Sequence, residues 1–304
     1  MLGIGLGSAG FSSKPTMRSS SSTWMTPKRR AASCTATSYV ATVATYEVPV
    51  PEAARRFGVI QVDEEERIVG FEEKPAEPKP IPSMPGVALA SMGIYVFEAD
   101  VLVKALEDDA GRDSKHDFGK DILPSLIGHA PVFSYRFSDE NKKANKYWRD
   151  IGELDAYYEA NMDLVQVNPD FNLYDPEWPI RTWMEQAPPA KFVFDDDNRR
   201  GCALDSIVSA GCIVSGSTVR RSLLSNNVRL YNHTSIEDSV ILPNAEIGPS
   251  AVVKNAIVDK HCRIPDGMQI GVDLELDRKR FHVTEKGRVL VVPEMLGQQV
   301  HHLR

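Results

Sequence analysis

The stretch SIEDSVILPNAEIGPSAVVKNAIVDKHCRIPDGMQI (residues 235–270) decides the fold of the last third of this chain. Aliphatic residues in it and just upstream recur at intervals of six, six and five positions, which makes a repeat of 17 residues. The positions on this spacing are Ile207, Ile213, Val219, Leu224, Leu230, Ile236, Ile241, Ile247, Val253, Val258, Ile264 and Ile270. Neither the helical period near 3.6 nor strand alternation produces such intervals, whereas a chain wound around three flat faces needs one inward aliphatic residue per face. The spacing therefore predicts a left-handed parallel β-helix with 17-residue coils over residues 201–296.

Composition narrows the class of protein. The 304 residues have room for about two domains. No apolar run approaches the roughly 18 residues of a membrane span, so we expect no transmembrane segment. A net charge of −7 argues against a general nucleic-acid binder and favours small-molecule chemistry. The four cysteines, Cys34, Cys202, Cys212 and Cys262, lack CxxC spacing, which predicts free thiols in a cytoplasmic protein.

The first forty residues differ in composition from the rest. Residues 1–46 contain five Lys or Arg and no Asp or Glu, and 14 of the first 40 residues are Ser or Thr. Such a segment lacks the apolar periodicity of a core, so we expect residues 1–41 to be disordered or read out of frame. An organellar transit peptide is an alternative interpretation.

From residue 42 onward the chain is patterned as an α/β lobe. Strand patterns are predicted at 42–50, 59–62, 68–71 and 92–97, and helical patterns at 100–107, 119–126 and 153–165. Mixed strands and helices of this kind indicate a layered α/β domain. We therefore expect a domain over 42–168, a linker over 169–200, the β-helix over 201–296 and a tail over 297–304.

Two short motifs in this lobe carry charges suited to phosphate chemistry. FEEKP (71–75) ends a β pattern, where Lys74 can project toward a ligand. The alternative is a solvated Glu/Lys pair. YWRDIG (147–152) places Asp150 ahead of a helix, where a carboxylate can hold a phosphate-bound metal ion. The alternative is a helix N-cap, and neither motif decides alone.

In this order and upstream of a β-helix, the motifs resemble those of the sugar-nucleotide pyrophosphorylases. The greatest similarity is to the bacterial glucose-1-phosphate adenylyltransferases, over residues 42–296. Besides the two motifs above, the resemblance rests on residues 56–59, 89–97, 116–121, 179–182 and 188–192. The combination is specific, whereas the coils alone occur in many acyltransferases and scaffolds.

The resemblance implies a reaction and a set of site residues. The reaction is ATP plus glucose 1-phosphate giving ADP-glucose and pyrophosphate, in the synthesis of glycogen. By position, Gly58, Glu73, Lys74 and Ser91 match contacts to glucose 1-phosphate, and Asp150 matches one of two aspartates that hold the catalytic Mg²⁺. Lys74 and Asp150 are thus the implied catalytic residues. An ammonium group offsets repulsion between phosphates, and a carboxylate retains a hard cation.

The resemblance also implies features that this sequence does not show. In the family, a Rossmann-like N-terminal half carries a Gly-rich loop around the ATP phosphates and the first magnesium aspartate. Residues 1–41 stand there instead. We therefore expect an incomplete Rossmann-like nucleotidyltransferase lobe in a truncated or frameshifted chain that does not turn over alone.

Regulation and assembly follow from the same resemblance. The family binds sugar-phosphate or nucleotide effectors between its domains, and its intact members are expected to be homotetramers. Lys260 matches a basic position of that regulatory site, with further positive charge at 278–280. The alternative is a solvated basic turn. Pro293 and Gln298 stand where some relatives carry arginines, which leaves the effector open.

Three other functions compete. A hexapeptide acyltransferase would need a catalytic histidine in the coils, where His233 and His261 are the candidates. A non-catalytic regulatory or assembly subunit would need only the β-helix and its flanks. Another sugar-nucleotide pyrophosphorylase would use UTP, dTTP or GTP. The residues that read the base belong to the part of the family that this sequence does not match, so adenine specificity rests on the resemblance.

Overall fold

The computed structural model describes residues 40–137, 147–176 and 179–298, which form two compact units. The first unit ends at Arg136 and the second begins at Phe137. Residues 1–39, which carry most of the expected disordered segment, lie outside the described residues, as do residues 299–304 of the expected tail. Residues 147–168 belong to the second unit, although the sequence grouped them with the α/β lobe.

The first unit is built on a five-stranded mixed sheet. Its strands are β1 (Ala41–Pro49), β2 (Gly58–Val62), β3 (Ile68–Glu73), β4 (Val87–Phe97) and β5 (Val132–Arg136). Their order in space is β3-β2-β4-β1-β5, with β1 antiparallel to β4 and parallel to β5. Val43, Leu89 and Val132 are fully buried in one apolar cluster of this unit. The long strand β4 begins five residues before the predicted strand at 92–97.

Helical segments of the first unit are short apart from one. They are α1 (Val50–Ala53), α2 (Ala99–Ala110), a π-helical turn (Phe118–Ile122) and α3 (Leu123–Leu126). The helix predicted at 119–126 is therefore two pieces. Asp117 begins the π-helical turn by accepting hydrogen bonds from the backbone nitrogens of Gly119 (2.8 Å) and Lys120 (2.9 Å). Pro124 has no backbone N–H with which to continue a single hydrogen-bond ladder.

The second unit contains three parallel sheets that wind into a β-helix. Its coil strands are β6 (Lys191–Val193), β7 (Cys202–Leu204), β8 (Ile207–Val208), β9 (Ile213–Ser215), β10 (Thr218–Arg220), β11 (Leu223–Leu224), β12 (Arg229–Leu230), β13 (Ser235–Glu237), β14 (Val240–Ile241), β15 (Glu246–Ile247), β16 (Val252–Lys254), β17 (Ala256–Val258), β18 (Arg263–Ile264) and β19 (Gln269–Ile270). From β6 to β16, each strand pairs in parallel with the strand three places later, as β10 does with β13 and β13 with β16. Ile236, Ile241 and Ile247 are fully buried inside. The predicted left-handed parallel β-helix is confirmed.

The first coil departs from the predicted ladder by one residue. Leu230 pairs with Val214, an offset of 16 residues, whereas from β10 onward the offset is 17. Val214 is fully buried and Ile213 only partly, so the prediction for Ile213 is wrong. The same shift gives Val208, rather than Ile207, the register of the inward row. Both sites are Ile-Val pairs, so aliphatic spacing could not distinguish the two registers.

Left-handed residues turn the chain at the corners of the coils. Asn227, Asn244 and His261 occupy one corner with φ of 62°, 61° and 61°. Among residues other than glycine, Asn and Asp tolerate this conformation best. The Asn227 amide also donates to Asn244 Oδ1 at 3.2 Å. His233 has φ of 63° at another corner. Both coil histidines thus hold corner positions, which favours a turn role over acyl transfer.

Helix α4 (Leu154–Asp163) packs on the side of the β-helix. Tyr158 is buried against Val240 and Ile257. Thr284 Oγ1 also donates to Asp155 Oδ1 at 2.8 Å. These contacts are the physical reason why the helix belongs with the second unit rather than with the α/β lobe.

The C-terminal segment closes the last coil. It consists of α5 (Leu274–Arg278), β20 (His282–Val283), β21 (Val289–Val291) and a 3-10 turn (Pro293–Leu296). β21 extends one sheet beside β17. Asp277 is fully buried and accepts a hydrogen bond from Gly271 N at 2.7 Å. Across the described parts of the chain, helices are too short or too polar to cross a membrane.

Candidate active site

The ends of two paired strands bring the predicted sugar-phosphate residues together in the first unit. Strand β2 begins at Gly58 and strand β3 ends at Glu73, and these two residues face each other in the antiparallel register. A Cβ atom built on Gly58 would lie 2.5 Å from Phe71 Cζ and 2.8 Å from Glu73 Oε2. Any side chain at position 58 would therefore displace both neighbours. Glycine here is required by the close approach of strand β3.

Lys74 follows directly after β3 in a left-handed conformation, with φ of 49°. Its backbone nitrogen donates to the Phe57 carbonyl oxygen at 3.1 Å, which holds the turn. The side chain is exposed, so the ammonium group can reach a ligand. An unbranched, non-Gly residue in this conformation stores backbone strain, as functional positions often do.

Ser91 and Tyr95 extend this cluster along strand β4. The Ser91 hydroxyl accepts a hydrogen bond from Gly93 N at 3.3 Å. Burial raises the pKa of Tyr95, a hydrogen bond with Ser91 opposes the shift, and the negative charges of Glu73 and Asp117 add to it. The Tyr95 phenol therefore loses its proton less readily than an exposed phenol does.

Gly119 is a member of this cluster that the sequence did not single out. A Cβ atom built on it would lie 2.9 Å from Glu73 Oε2, 3.3 Å from Asp117 Oδ1 and 3.3 Å from Phe71 Cε1. The residue lies within the 116–121 segment that carries the resemblance, yet no role was predicted for it or for Tyr95. The available signal was an Asp two residues ahead of a Gly, which is typical of a capped helix start.

Asp150 lies in the second unit, ahead of helix α4. It is exposed, and its Oδ1 accepts a hydrogen bond from Gly152 N at 3.1 Å. The N-cap of α4 is Glu153, with no side-chain cap bond, so Asp150 does not cap this helix. The N-cap alternative for Asp150 is therefore wrong.

The surroundings of Asp150 fit one particular mode of metal binding. Within residues 40–137, 147–176 and 179–298, no group of three or more His, Cys, Asp or Glu side chains is placed to hold a metal ion. Mg²⁺, however, is commonly held by one or two carboxylates together with phosphate oxygens of the substrate. An exposed carboxylate with one oxygen fixed by Gly152 fits that mode.

Lys260 is exposed in the turn between β17 and β18. Its backbone nitrogen donates to Asp259 Oδ1 at 2.7 Å. Nearby in sequence, Arg278 forms an ion pair with Glu275, an exposed neighbour on α5. Both the regulatory interpretation and the solvated turn remain compatible with this geometry, so the allosteric role stays a prediction.

The fold and the cluster at the ends of β2 and β3 define a nucleotidyl transferase lobe joined to a hexapeptide-repeat β-helix. Residues 25–167 match the nucleotidyl transferase family, and residues 188–291 match the GlmU-like C-terminal hexapeptide family. The matched region makes residues 25–167 a nucleotidyl transferase domain. Proteins of this family generally use a divalent metal ion.

Curated relatives narrow the resemblance further. A glucose-1-phosphate adenylyltransferase of Methylobacillus flagellatus is 57% identical over 267 residues, which cover 86% of this chain and 62% of the relative. Those of Dechloromonas aromatica and Nitrosospira multiformis are both 54% identical, over 84% and 86% of this chain and 59% and 63% of their own lengths. The predicted resemblance is confirmed. The chain spans about three fifths of the length of these relatives.

Proposed function

We propose that this chain carries the sugar-phosphate site of a glucose-1-phosphate adenylyltransferase. The proposed reaction joins ATP and glucose 1-phosphate to give ADP-glucose and pyrophosphate in glycogen synthesis. The carrying observation is the register that sets Gly58 opposite Glu73, with Lys74 exposed one residue later. The relatives above are named glucose-1-phosphate adenylyltransferases, which supports adenylyl transfer over the use of UTP, dTTP or GTP.

Each residue of the cluster has a proposed role in binding. The Lys74 ammonium pairs with the phosphate, because a flexible point charge suits a phosphate group. The Glu73 carboxylate accepts a hydrogen bond from a sugar hydroxyl, and the Ser91 hydroxyl exchanges another. Gly58 lets the backbone of β2 approach the sugar. These contacts hold the phosphate for in-line attack on the nucleotide.

Asp150 is the proposed ligand of Mg²⁺. The bound cation would neutralise charge on the phosphate oxygens during displacement. The chain itself contributes a carboxylate whose orientation is fixed by the Gly152 backbone nitrogen. ATP, ADP-glucose, a sugar-phosphate or nucleotide effector bound near Lys260, a homotetrameric assembly and a cytoplasmic location remain proposals that the family resemblance supports.

Calorimetric titration of the chain with glucose 1-phosphate tests the proposal. Lys74→Ala should weaken binding about tenfold to a hundredfold, as loss of a hydrogen bond to a charged group does. Lys104→Ala is the matched control, because Lys104 is another exposed lysine of the same unit. Equal affinity of Lys74→Ala and Lys104→Ala would show that Lys74 does not bind the phosphate.

A second candidate function is a regulatory or assembly subunit without catalysis. The observation that favours it is the β-helix, whose core is continuous from Val214 to Ile270 and sealed by the C-terminal segment. Co-purification with a longer catalytic relative supports this function. A monodisperse solitary chain in light scattering, with that relative present, would contradict it.

A further inference from the structure

We propose that Gly119 is a positioning residue for the Glu73 carboxylate and thereby sets how the site accepts a hydroxyl group of a hexose 1-phosphate. The inference rests on the proposed function of Glu73. Its basis is a slot defined by Gly58, Gly119 and Phe71, in which one carboxylate oxygen of Glu73 sits.

The two glycines approach the same atom. Cβ atoms built on Gly58 and Gly119 would lie 2.8 Å and 2.9 Å from Glu73 Oε2. The two lie on different elements, the start of strand β2 and the π-helical turn. The Glu73 carboxylate can therefore lie there only because neither position 58 nor position 119 carries a side chain.

The Glu73 carboxylate is positioned by the space around it rather than by a hydrogen bond or an ion pair. Within the parts of the chain that the structure describes, no hydrogen bond or ion pair engages the Glu73 carboxylate. By contrast, the neighbouring Glu72 carboxylate pairs with Lys79 and accepts from Gln61. An acceptor that is positioned yet unengaged can take a ligand hydroxyl without first losing a protein partner.

Gly119 differs from Gly58 in what a side chain would displace. At position 58 the first atom met is the Phe71 ring, 2.5 Å away, whose displacement would disturb the core. At position 119 the first atom met is the far end of the flexible Glu73 side chain. Gly119→Ala should therefore move the carboxylate while the fold survives, which makes it the cleaner variant.

The position of Gly119 is itself fixed by the helix start. Its backbone nitrogen donates to Asp117 Oδ1 at 2.8 Å, and Asp121 Oδ2 in turn accepts from the Asp117 nitrogen at 3.0 Å. The ring of Phe118 stacks on Tyr95 at 5.5 Å. These contacts hold the π-helical turn at one side of the slot. Gly119, which has no side chain, leaves the space there that the Glu73 carboxylate occupies.

The test is a double-mutant cycle with glucose 1-phosphate as the calorimetric probe. Gly119→Ala should weaken binding about tenfold, the size expected for one hydrogen bond to a charged group. Combined with Glu73→Ala, it should weaken binding no further than Glu73→Ala alone, because both changes remove the same contact. Gly86→Ala is the control, since a Cβ there meets nothing within 4 Å.

The outcomes separate the two hypotheses. If Glu73→Ala binds like the wild type, or the wild type does not bind, the proposed role of Glu73 fails. If Glu73→Ala weakens binding while Gly119→Ala does not, or the two losses add, the positioning inference alone is overturned.

A second measurement needs no ligand. The Glu73 side-chain carboxyl ¹³C resonance should move in Gly119→Ala and stay in place in Gly86→Ala. An unmoved resonance overturns the inference. If Gly119→Ala fails to fold, adding Glu73→Ala should restore the fold by emptying the slot, and failure to restore it also contradicts the inference.

Discussion

The Tyr158 hydroxyl donates a 2.6 Å hydrogen bond to the backbone carbonyl oxygen of Asp238, a left-handed corner residue of the β-helix. The Arg288 guanidinium lies over the face of the Tyr158 ring, with its Cζ atom 4.3 Å from the ring centroid. One side chain thus joins helix α4 to a corner of the coils and to the C-terminal segment. The relationship explains why a helix that directly follows the lobe in sequence is held by the second unit.

Removal of this hydroxyl should loosen α4. Tyr158→Phe leaves the Asp238 carbonyl without its partner, which should lower the free energy of unfolding of the second unit by about 1 kcal/mol. Urea denaturation followed by far-UV circular dichroism measures it. The control is Tyr174→Phe, because Tyr174 is 77% exposed. Equal losses in both variants would contradict the role of the bond.

The same residue predicts a dependence on alkaline pH. Burial raises the pKa of Tyr158 above the ordinary value of 10.0. Because the unfolded phenol ionises more readily, stability from Tyr158 is complete below that value and is lost as pH rises through the folded pKa. Tyr158→Phe should therefore lose less stability than the wild type between pH 9 and pH 11. A slope that the substitution leaves unchanged would rule out this contribution.

The shortened first coil predicts unequal costs for two neighbouring residues. Val214→Ala removes fully buried methyl groups and should cost about 2 kcal/mol in unfolding free energy. Ile213→Ala should cost less, because its side chain is only partly buried. Chemical denaturation of both variants distinguishes the registers. A larger loss for Ile213→Ala would favour the regular 17-residue spacing.

Differences in burial predict which of the three described cysteines reacts first with an alkylating reagent. Burial raises the pKa of the Cys262 thiol to about 12 and raises that of Cys212. Cys202 is only partly buried. Iodoacetamide at pH 8 should therefore alkylate Cys202 first, as peptide mass spectrometry would show. In urea the three should react alike; early labelling of Cys262 in the folded chain would refute this order.

Much of the β-helix could be predicted from sequence, because each face needs one inward aliphatic residue and these residues recur at regular intervals along the chain. Its first coil could not, since Ile213 and Val214 are equally apolar and only strand pairing tells them apart. In the candidate site, Gly58, Glu73, Lys74 and Ser91 came from resemblance rather than from any periodicity. No role was predicted for Gly119, because Glu73, the residue beside it, is 46 positions away in sequence and no local pattern encodes their proximity.

The grouping of α4 was also beyond sequence reasoning. Its apolar pattern predicted a helix at 153–165, which the structure places at Leu154–Asp163. The helix packs against the second unit because Tyr158 contacts Val240 and Ile257, which lie far along the chain. Long-range packing of this kind leaves no mark within the helix itself.

In the proposed function, the Lys74 ammonium contacts the phosphate of a hexose 1-phosphate. The most direct measurement is the ³¹P resonance of glucose 1-phosphate as the chain is added. A saturable shift is expected, which Lys74→Ala abolishes and Lys104→Ala preserves. A shift that persists unchanged in Lys74→Ala would contradict it.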